Sequence, residues 1–416
     1  MSSEWKEVHL QDLVTLKRGY DLPKANRLNG IFPILASNGI TGFHNEFKVK
    51  GPGIVTGRSG TLGEVMFINK DFWPLNTTLY GKQFHGNDIK FVYYFLKTLK
   101  LHNYNSGSSV PTLNRNHIHS LLVKIPSKPE QYKIGCVLSS LDDKIELNNA
   151  INKNLEEMAQ ALFKRWFIDF EFPNENGEPY KSSGGEFEES ELGLIPKGWN
   201  VGVFQDLVID VFGGDWGKET SQGNYTEEVT CIRGADIPEI VKGNTGKVVE
   251  RYILKKNLEK KKLCAGDTII EISGGSPTQS TGRTVLISNE VLSKFSTEVI
   301  ATNFCKVIRP NKKYSEFLFC YLSYFYMEDY MYQFENGTTG IKNLDMGSLF
   351  STHKISIPSS AIINKFAEIF NALYIKIQTT GNESNNIGLI RDSLLPRLMS
   401  GEIRVPMDEQ EQVTNN

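Results

Sequence analysis

The feature that most constrains what this chain can fold into is a hydrophobic seam between Glu130 and Trp166. Apolar residues fall at Ile134, Val137, Leu141, Ile145, Ile151, Leu155, Met158, Leu162 and Trp166, with Asn148 interrupting the series. Gaps of three and four residues give a period of about 3.5, that of a helix packed lengthwise on another helix. At about 1.5 Å per residue such a helix is about 55 Å long, more than one compact domain ordinarily uses. It needs a partner, and the chain supplies one 232 residues further on. Phe366, Ile369, Leu373, Ile377, Thr380, Glu383, Ile387, Ile390, Leu394 and Leu398 occupy the shifted positions without a gap. Eight of the ten are apolar in both copies, and the polar Asn148 falls on the polar Thr380. A polar residue in such a seam fixes register at some cost in stability. Ile125-Pro126 and Ile357-Pro358 precede the two helices at the same offset.

The segments between the helices repeat too. Trp5 and Gln11-Asp-Leu-Val open the first, and Trp199 and Gln205-Asp-Leu-Val open the second. Each continues with short β-type runs bounded by glycine, at Gly53–Gly63 and Gly266–Gly275, which predict strand-rich domains. Each then offers an aromatic helix, Ile89 to Leu99 and Ser315 to Tyr332, whose rings recur at helical spacing and are expected in the core. The reading is an α+β chain: two mixed, strand-rich domains joined by a long antiparallel two-helix coiled coil, a pseudo-two-fold repeat. Its divisions are 1–128, helix 129–170, linker 171–198, 199–358, helix 359–405 and a disordered tail 406–416. The linker, rich in Pro, Gly and Glu, reads as an exposed connection with little core of its own. Gly381 and the run 382–386 predict a weak middle for the second helix, and Pro396 a kink in its last turns.

Net charge is −2, but it is partitioned. Residues 1–128 carry 16 Lys/Arg against 8 Asp/Glu, a balance of +8, and residues 129–198 carry 7 against 14, a balance of −7. Residues 199–360 are nearly neutral, with 18 against 19. A basic domain on acidic connectors predicts a polyanion partner that touches the globular parts and not the joints. Five cysteines without CxxC spacing argue against a disulfide framework or a zinc site and suit a reducing cytoplasm. No run of 18 apolar residues predicts a membrane span, and the polar start is unlike a signal peptide.

Catalytic constellations fail on inspection. Gly213-Gly-Asp-Trp-Gly-Lys218 has the wrong spacing for a phosphate loop, and Glu219 stands where Ser or Thr must bind magnesium. His117 and His119, expected on a strand or loop, lack a third ligand. Asp267 and Glu271 lack the following lysine of a nuclease centre. No Asn/Asp-Pro-Pro-aromatic tetrapeptide for base amine methylation is present, nor a GxSxG elbow. The chain reads as a binder.

Two glycine-hydroxyl loops per half carry that reading. Arg58-Ser-Gly-Thr61 matches Ser273–Arg283, and the turn at Asn105–Asn114 matches Asn336–Asn343. Hydroxyls and glycine backbone can donate to phosphate, while Arg, Gln and Asn can read purine edges in the major groove. The DNA-binding residues expected in the first half are Arg58, Ser59, Thr61, Lys82, Ser108, Thr112, Asn114 and Arg115. Those expected in the second are Lys218, Arg233, Ser276, Thr278, Gln279, Arg283, Thr338, Lys342 and Asn343.

With these motifs in hand, the chain resembles the specificity subunits of type I restriction-modification systems. The resemblance rests on Ile-Pro before each helix, the ending Ala161–Phe170, Ser393-Leu-Leu-Pro-Arg-Leu-Met-Ser-Gly-Glu-Ile403, and the linker's Gly193-Leu-Ile-Pro-Lys-Gly-Trp199. It implies two target-recognition domains, each reading one half of a bipartite double-stranded DNA target. It implies that the coiled coil sets the gap and docks two adenine methyltransferase subunits, to which restriction-translocation subunits are added. S-adenosylmethionine, ATP and magnesium would then belong to those partners, with no cofactor, metal or catalytic residue in this chain and no membrane partner. Phe163, Trp166 and Phe167 are expected on the surface that meets the methyltransferase. The alternatives are a self-contained DNA methyltransferase or nuclease with a duplicated recognition domain, and a repeat scaffold that binds only protein.

Overall fold

The computed structural model describes residues 5–106, 111–276, 278–337 and 342–406. The chain forms two compact units, Met1–Ile145 with Ile387–Asn416, and Glu146–Asn386. The seam residues do form helices, Lys128–Phe163 and Ser360–Ser400, each shared between the units. Within the first unit Arg404 pairs with Glu130 and Arg391 with Asp142, so the helix segments there run antiparallel. Within the second, Asn148 donates to Glu383 and Asn152 to the Ile377 carbonyl, with the same sense.

The two units are built on one plan. In the first, a four-stranded antiparallel sheet has the order Thr15–Arg18, Thr78–Gln83, Gly53–Gly57, Val65–Ile68. In the second the order is Val208–Gly213, Cys305–Pro310, Thr268–Glu271, Thr284–Leu286. Each has a three-stranded companion whose central strand, Phe32–Ala36 or Tyr225–Ile232, takes an antiparallel neighbour on one side and a parallel one on the other. Each closes with a strand that ends on the isoleucine of its Ile-Pro pair: Lys6–His9 lies on Leu122–Ile125, and Asn200–Val203 on Lys354–Ile357. The central strands Gly53–Gly57 and Thr268–Glu271 are buried throughout, the polar Thr56, Thr268 and Glu271 included. The aromatic helices are core elements: Phe91, Tyr94 and Phe95 in the first unit, Phe317, Phe319, Tyr321 and Phe325 in the second, are all buried.

Several expectations are corrected. The linker is not an open connection: Phe187–Ser190 and Gly193–Pro196 form a hairpin. Phe172 stacks between Tyr180 and Trp199, with centroids 4.5 and 5.1 Å away, so aromatic burial orders a segment whose charge suggested otherwise. The seam is not dry along its length, since Val137, Met158, Ile369 and Ile390 are exposed. The second helix is unbroken through Gly381 and continues past Pro396 to Ser400. Gly381 packs against the backbone of Gly243, where a Cβ would sit 2.4 Å from the Gly243 carbonyl. Close approach, rather than weakness, is its role. His117 and His119 lie on the short helix Arg115–His119. Phe163, Trp166 and Phe167 do not form a partner surface. They are 1, 5 and 1 % exposed, in the core of the second unit, with Phe167 4.9 Å from the rings of both Phe317 and Phe366. Their spacing served an internal contact that amphipathic reading cannot tell from an external one. Among the described residues no helix is long and apolar enough to cross a membrane.

Candidate nucleic-acid interface

In the first unit the strand Gly53–Gly57 ends in a tight loop. The Thr61 carbonyl lies 1.9 Å from where a Gly57 Cβ would be, so only glycine admits the fold-over. Gly60 takes φ +88°, a region glycine enters without strain. The amides of Arg58 and Ser59 both donate to the Thr77 carbonyl, at 2.8 and 3.1 Å. The loop then pairs with the second glycine-hydroxyl turn: Gly60 N–H donates to the Pro111 carbonyl (3.1 Å), and Leu113 N–H to that of Arg58 (2.8 Å). Ser59 and Thr112 are thereby placed opposite each other.

The second unit repeats the contact. Ser273 and Gly274, just beyond the buried strand Thr268–Glu271, pair with Asn343 and Lys342 of the other turn. Ser276 and Gln279 close the intervening turn by mutual backbone hydrogen bonds of 2.8 and 3.2 Å. Two loops far apart in sequence are thus brought together in each half, at matching points of one topology.

Of the sequence-predicted residues, Arg58, Ser59, Thr61, Thr112, Asn114 and Arg115 gather at the first locus. Thr61 and Arg115 are exposed, and Arg115 forms no ion pair among the described residues. Asn114 caps the helix Arg115–His119 by accepting from the Asn116 amide (3.0 Å). Lys82 is not gathered. It lies four residues along its strand from Thr78, the partner of Gly57, about 13 Å away at strand spacing. At the second locus Thr278, Gln279 and Asn343 are exposed and Ser276 half-buried. Lys218 sits on another sheet edge, bridged to Tyr252. Ser108 and Thr338 lie outside the described residues.

The cations of the second locus are engaged within the fold. Arg283 donates two hydrogen bonds to Glu271 (2.7 and 2.5 Å), and Arg233 two to Asp236 (2.9 and 3.1 Å). Lys342 bonds to Glu335 at 2.7 Å. Burial alone would raise the Asp236 carboxyl, but hydrogen bonds from the Arg233 guanidinium and from the Arg233 and Lys247 amides outweigh it and hold it below the usual range. Glu335 is held low in the same way, by Lys342 and Thr281 working against burial. Arg309 likewise clasps Asp267, so Asp267 and Glu271 are both paired with arginines.

Sequence reasoning missed a third contributor at each locus. Ser37, at the turn after the strand Phe32–Ala36, lies against the Gly57–Gly60 loop, its Oγ 3.5 Å from a Cβ at Gly60. In the second unit Gly234, after the equivalent strand Tyr225–Ile232, lies against Glu271. The cue was present only as Ser37-Asn-Gly39, a hairpin signal that carries no hint of what it approaches. Among the described residues no group of three or more His, Cys, Asp or Glu is placed to hold a metal ion.

Comparison with known proteins bears on this geometry. The family model described as "Type I restriction modification DNA specificity domain" matches residues 2–157 and 219–388. The chain is 30% identical over 331 residues to the type I restriction enzyme MjaIX specificity subunit of Methanocaldococcus jannaschii, covering 76% of this chain and 69% of that one. It is 27% identical over 354 residues to the HindI specificity subunit of Haemophilus influenzae, covering 71% and 72%. The crystal structure of a type I restriction-modification S subunit from M. genitalium superimposes over 98% of this chain and 97% of that one, with a TM-score of 0.62 at 16% identity, a likeness of fold. Two copies of one domain plan, joined by two long helices and matched in both copies by one family model, have a single consistent reading: this chain belongs to the type I restriction-modification specificity subunits, the non-catalytic members of those systems.

Proposed function

We propose that each unit's paired loops read one half of a bipartite DNA target, and that the helix pair sets the gap between the halves. The observation that carries this is the repeated meeting of two glycine-hydroxyl loops, 58–60 on 111–113 and 273–274 on 342–343. The hydroxyls and carboxamides there suit phosphate positioning and base-edge readout, on loops whose backbone amides are spent within the fold. In the first half Arg58 and Arg115 are the long donors. In the second, Thr278, Gln279 and Asn343 face the DNA, while Arg283, Arg233 and Lys342 hold the loops in place through their acids. The surplus of cations in residues 1–128 supplies the first reader with more of the phosphate attraction.

The helices also dock two adenine methyltransferase subunits, and restriction-translocation subunits join them. Their docking surface excludes Phe163, Trp166 and Phe167 and includes exposed helix residues such as Tyr132 and Met158. S-adenosylmethionine, ATP and magnesium act on those partners, in the cytoplasm. The test is to reconstitute the chain with its methyltransferase and map methylated adenines on random-sequence duplexes. Arg58→Ala should relax the first half-site alone, and Gln279→Ala the second alone. Equal losses at both half-sites, or none at either, would sink the assignment.

A further inference from the structure

The second unit contains a cavity of about 610 Å³ between the end of the first long helix, the helix Ser315–Met327 and the second long helix. That volume falls within the range of small-molecule sites, roughly 300–1,000 Å³. Phe319, Phe370 and Tyr374 are among the residues that line it, with Phe370 and Tyr374 stacked at 5.6 Å and Phe319 5.9 Å from Phe370. Glu156 also lines it. Oε1 of that carboxyl is shielded from water, and no hydrogen-bond donor reaches it. A buried carboxylate oxygen without a donor is costly, and a charged donor recovers most of the cost. Burial accordingly pushes the Glu156 carboxyl up, against the pull of Lys242. Lys242 itself pairs with Glu239 at 3.6 Å, and Arg283, which also borders the cavity, is held by Glu271. The fold therefore leaves one oxygen of the half-buried Glu156 without a donor, in a cavity that aromatic rings also line, and such rings attract a cation over their faces.

We propose that this cavity is a binding site for a small organic cation with a flat apolar body, an aromatic amine or amidine. Its charged group meets Glu156, and its body lies against Phe319, Phe370 and Tyr374. Rotation about the last torsion of Glu156, which is broad for this side chain, turns either oxygen toward the cavity. An occupant would also touch Gln279 and Arg283 of the second loop, though the site stands whether or not that loop reads DNA.

The test is calorimetric titration of the full chain with benzamidine and with benzamide, its neutral analogue of similar shape. Benzamidine should bind at least tenfold more tightly, and Glu156→Gln should erase that preference. Glu156→Met, of similar length and neutral, serves as a second variant, and thermal melts of both verify folding. Equal affinity for the two compounds, an undiminished preference in the variants, or binding of neither compound overturns the proposal. Displacement of benzamidine by stoichiometric methyltransferase subunit also overturns it, by giving the cavity to a side chain of that partner.

Discussion

At the scale of single residues, the arginines of the two loci differ in kind. Arg283 is part of the fold: its removal would leave Glu271, whose side chain is 5 % exposed, as a buried charge without a partner. Such a loss costs about 3–5 kcal/mol, so Arg283→Ala should lower the denaturant midpoint of the chain markedly. The Arg58 side chain donates a long hydrogen bond, 3.3 Å to the Asn76 carbonyl, and Arg58→Ala should cost about 1 kcal/mol or less. Equal destabilisation by the two would refute this division. A second residue-scale prediction concerns His119, whose Nε2 accepts the Leu16 amide at 2.9 Å and must be neutral to do so. Burial lowers its pKa, assisted by the charge of Arg115. With the folded value below the unfolded one of about 6.5, the contribution to stability is complete above that pH and is lost as pH falls through the folded value. The chain should therefore unfold at lower urea at pH 5.5 than at 7.5. His119→Gln should reduce that difference without abolishing it, because His353 is also lowered by burial. An unchanged pH dependence in the variant would rule His119 out. The loops themselves were legible in the sequence, because glycine and hydroxyl residues recur at matching places. The ion pairs were not, since Arg283 meets Glu271 only after the chain doubles back from the strand Thr268–Glu271 to Thr284–Leu286.

At the scale of elements, the helices were the most legible part, and their departures from an ideal seam are informative. The middle is polar: Asn148, Asn152, Gln378, Thr380 and Ser384 are all buried in the second unit. Asn152 donates to the carbonyls of Lys242 and Ile377, and Gln378 to that of Ile240, so polar groups tie the helices to the turn at 240–243. Lys294 adds bonds of 2.6 Å to Gly243 and Gln378, although burial pushes its pKa down to about 8. A seam pattern cannot disclose such ties, because their acceptors are backbone carbonyls of a distant turn. The same turn explains Gly381. Alanine is the better helix former by about 1 kcal/mol, yet at 381 its methyl would meet the Gly243 backbone at 2.4–2.5 Å. Gly381→Ala should therefore destabilise by about 1–3 kcal/mol, the usual cost of overpacking. Gly388, in the same helix, has nothing within 4 Å of a Cβ, and Gly388→Ala should stabilise by about 1 kcal/mol. Paired denaturation curves decide it, and like signs for the two variants would contradict the packing account.

At the scale of the whole molecule, the repeat is deeper than the sequence offsets showed. Strand order, the parallel neighbour of the central companion strand and the meeting of the loops all recur, although the first domain is strongly basic and the second nearly neutral. Duplication with divergence of charge suits two readers that share a scaffold and differ in their targets. The segment-to-segment offsets of 232 and 194 could reveal the duplication but not which strands correspond, because pairing order depends on crossovers that no local pattern encodes. If the helices act as a ruler, their length and the recognised gap must change together. The point to intervene is where the units divide, between Ile145 and Glu146 and between Asn386 and Ile387. A heptad inserted at both points preserves the seam's period while adding about 10 Å of helix. On length alone that corresponds to about three base pairs, at about 3.4 Å each. Methylation mapping of the reconstituted variant should then show both half-sites unchanged and the gap between them enlarged. A heptad in one helix only should break the pairing of Asn148 with Glu383 or of Asp142 with Arg391 and destabilise the chain instead. If the doubled insertion left the gap as it was, the helices would be a brace rather than a ruler, and spacing would have to be set by the partners.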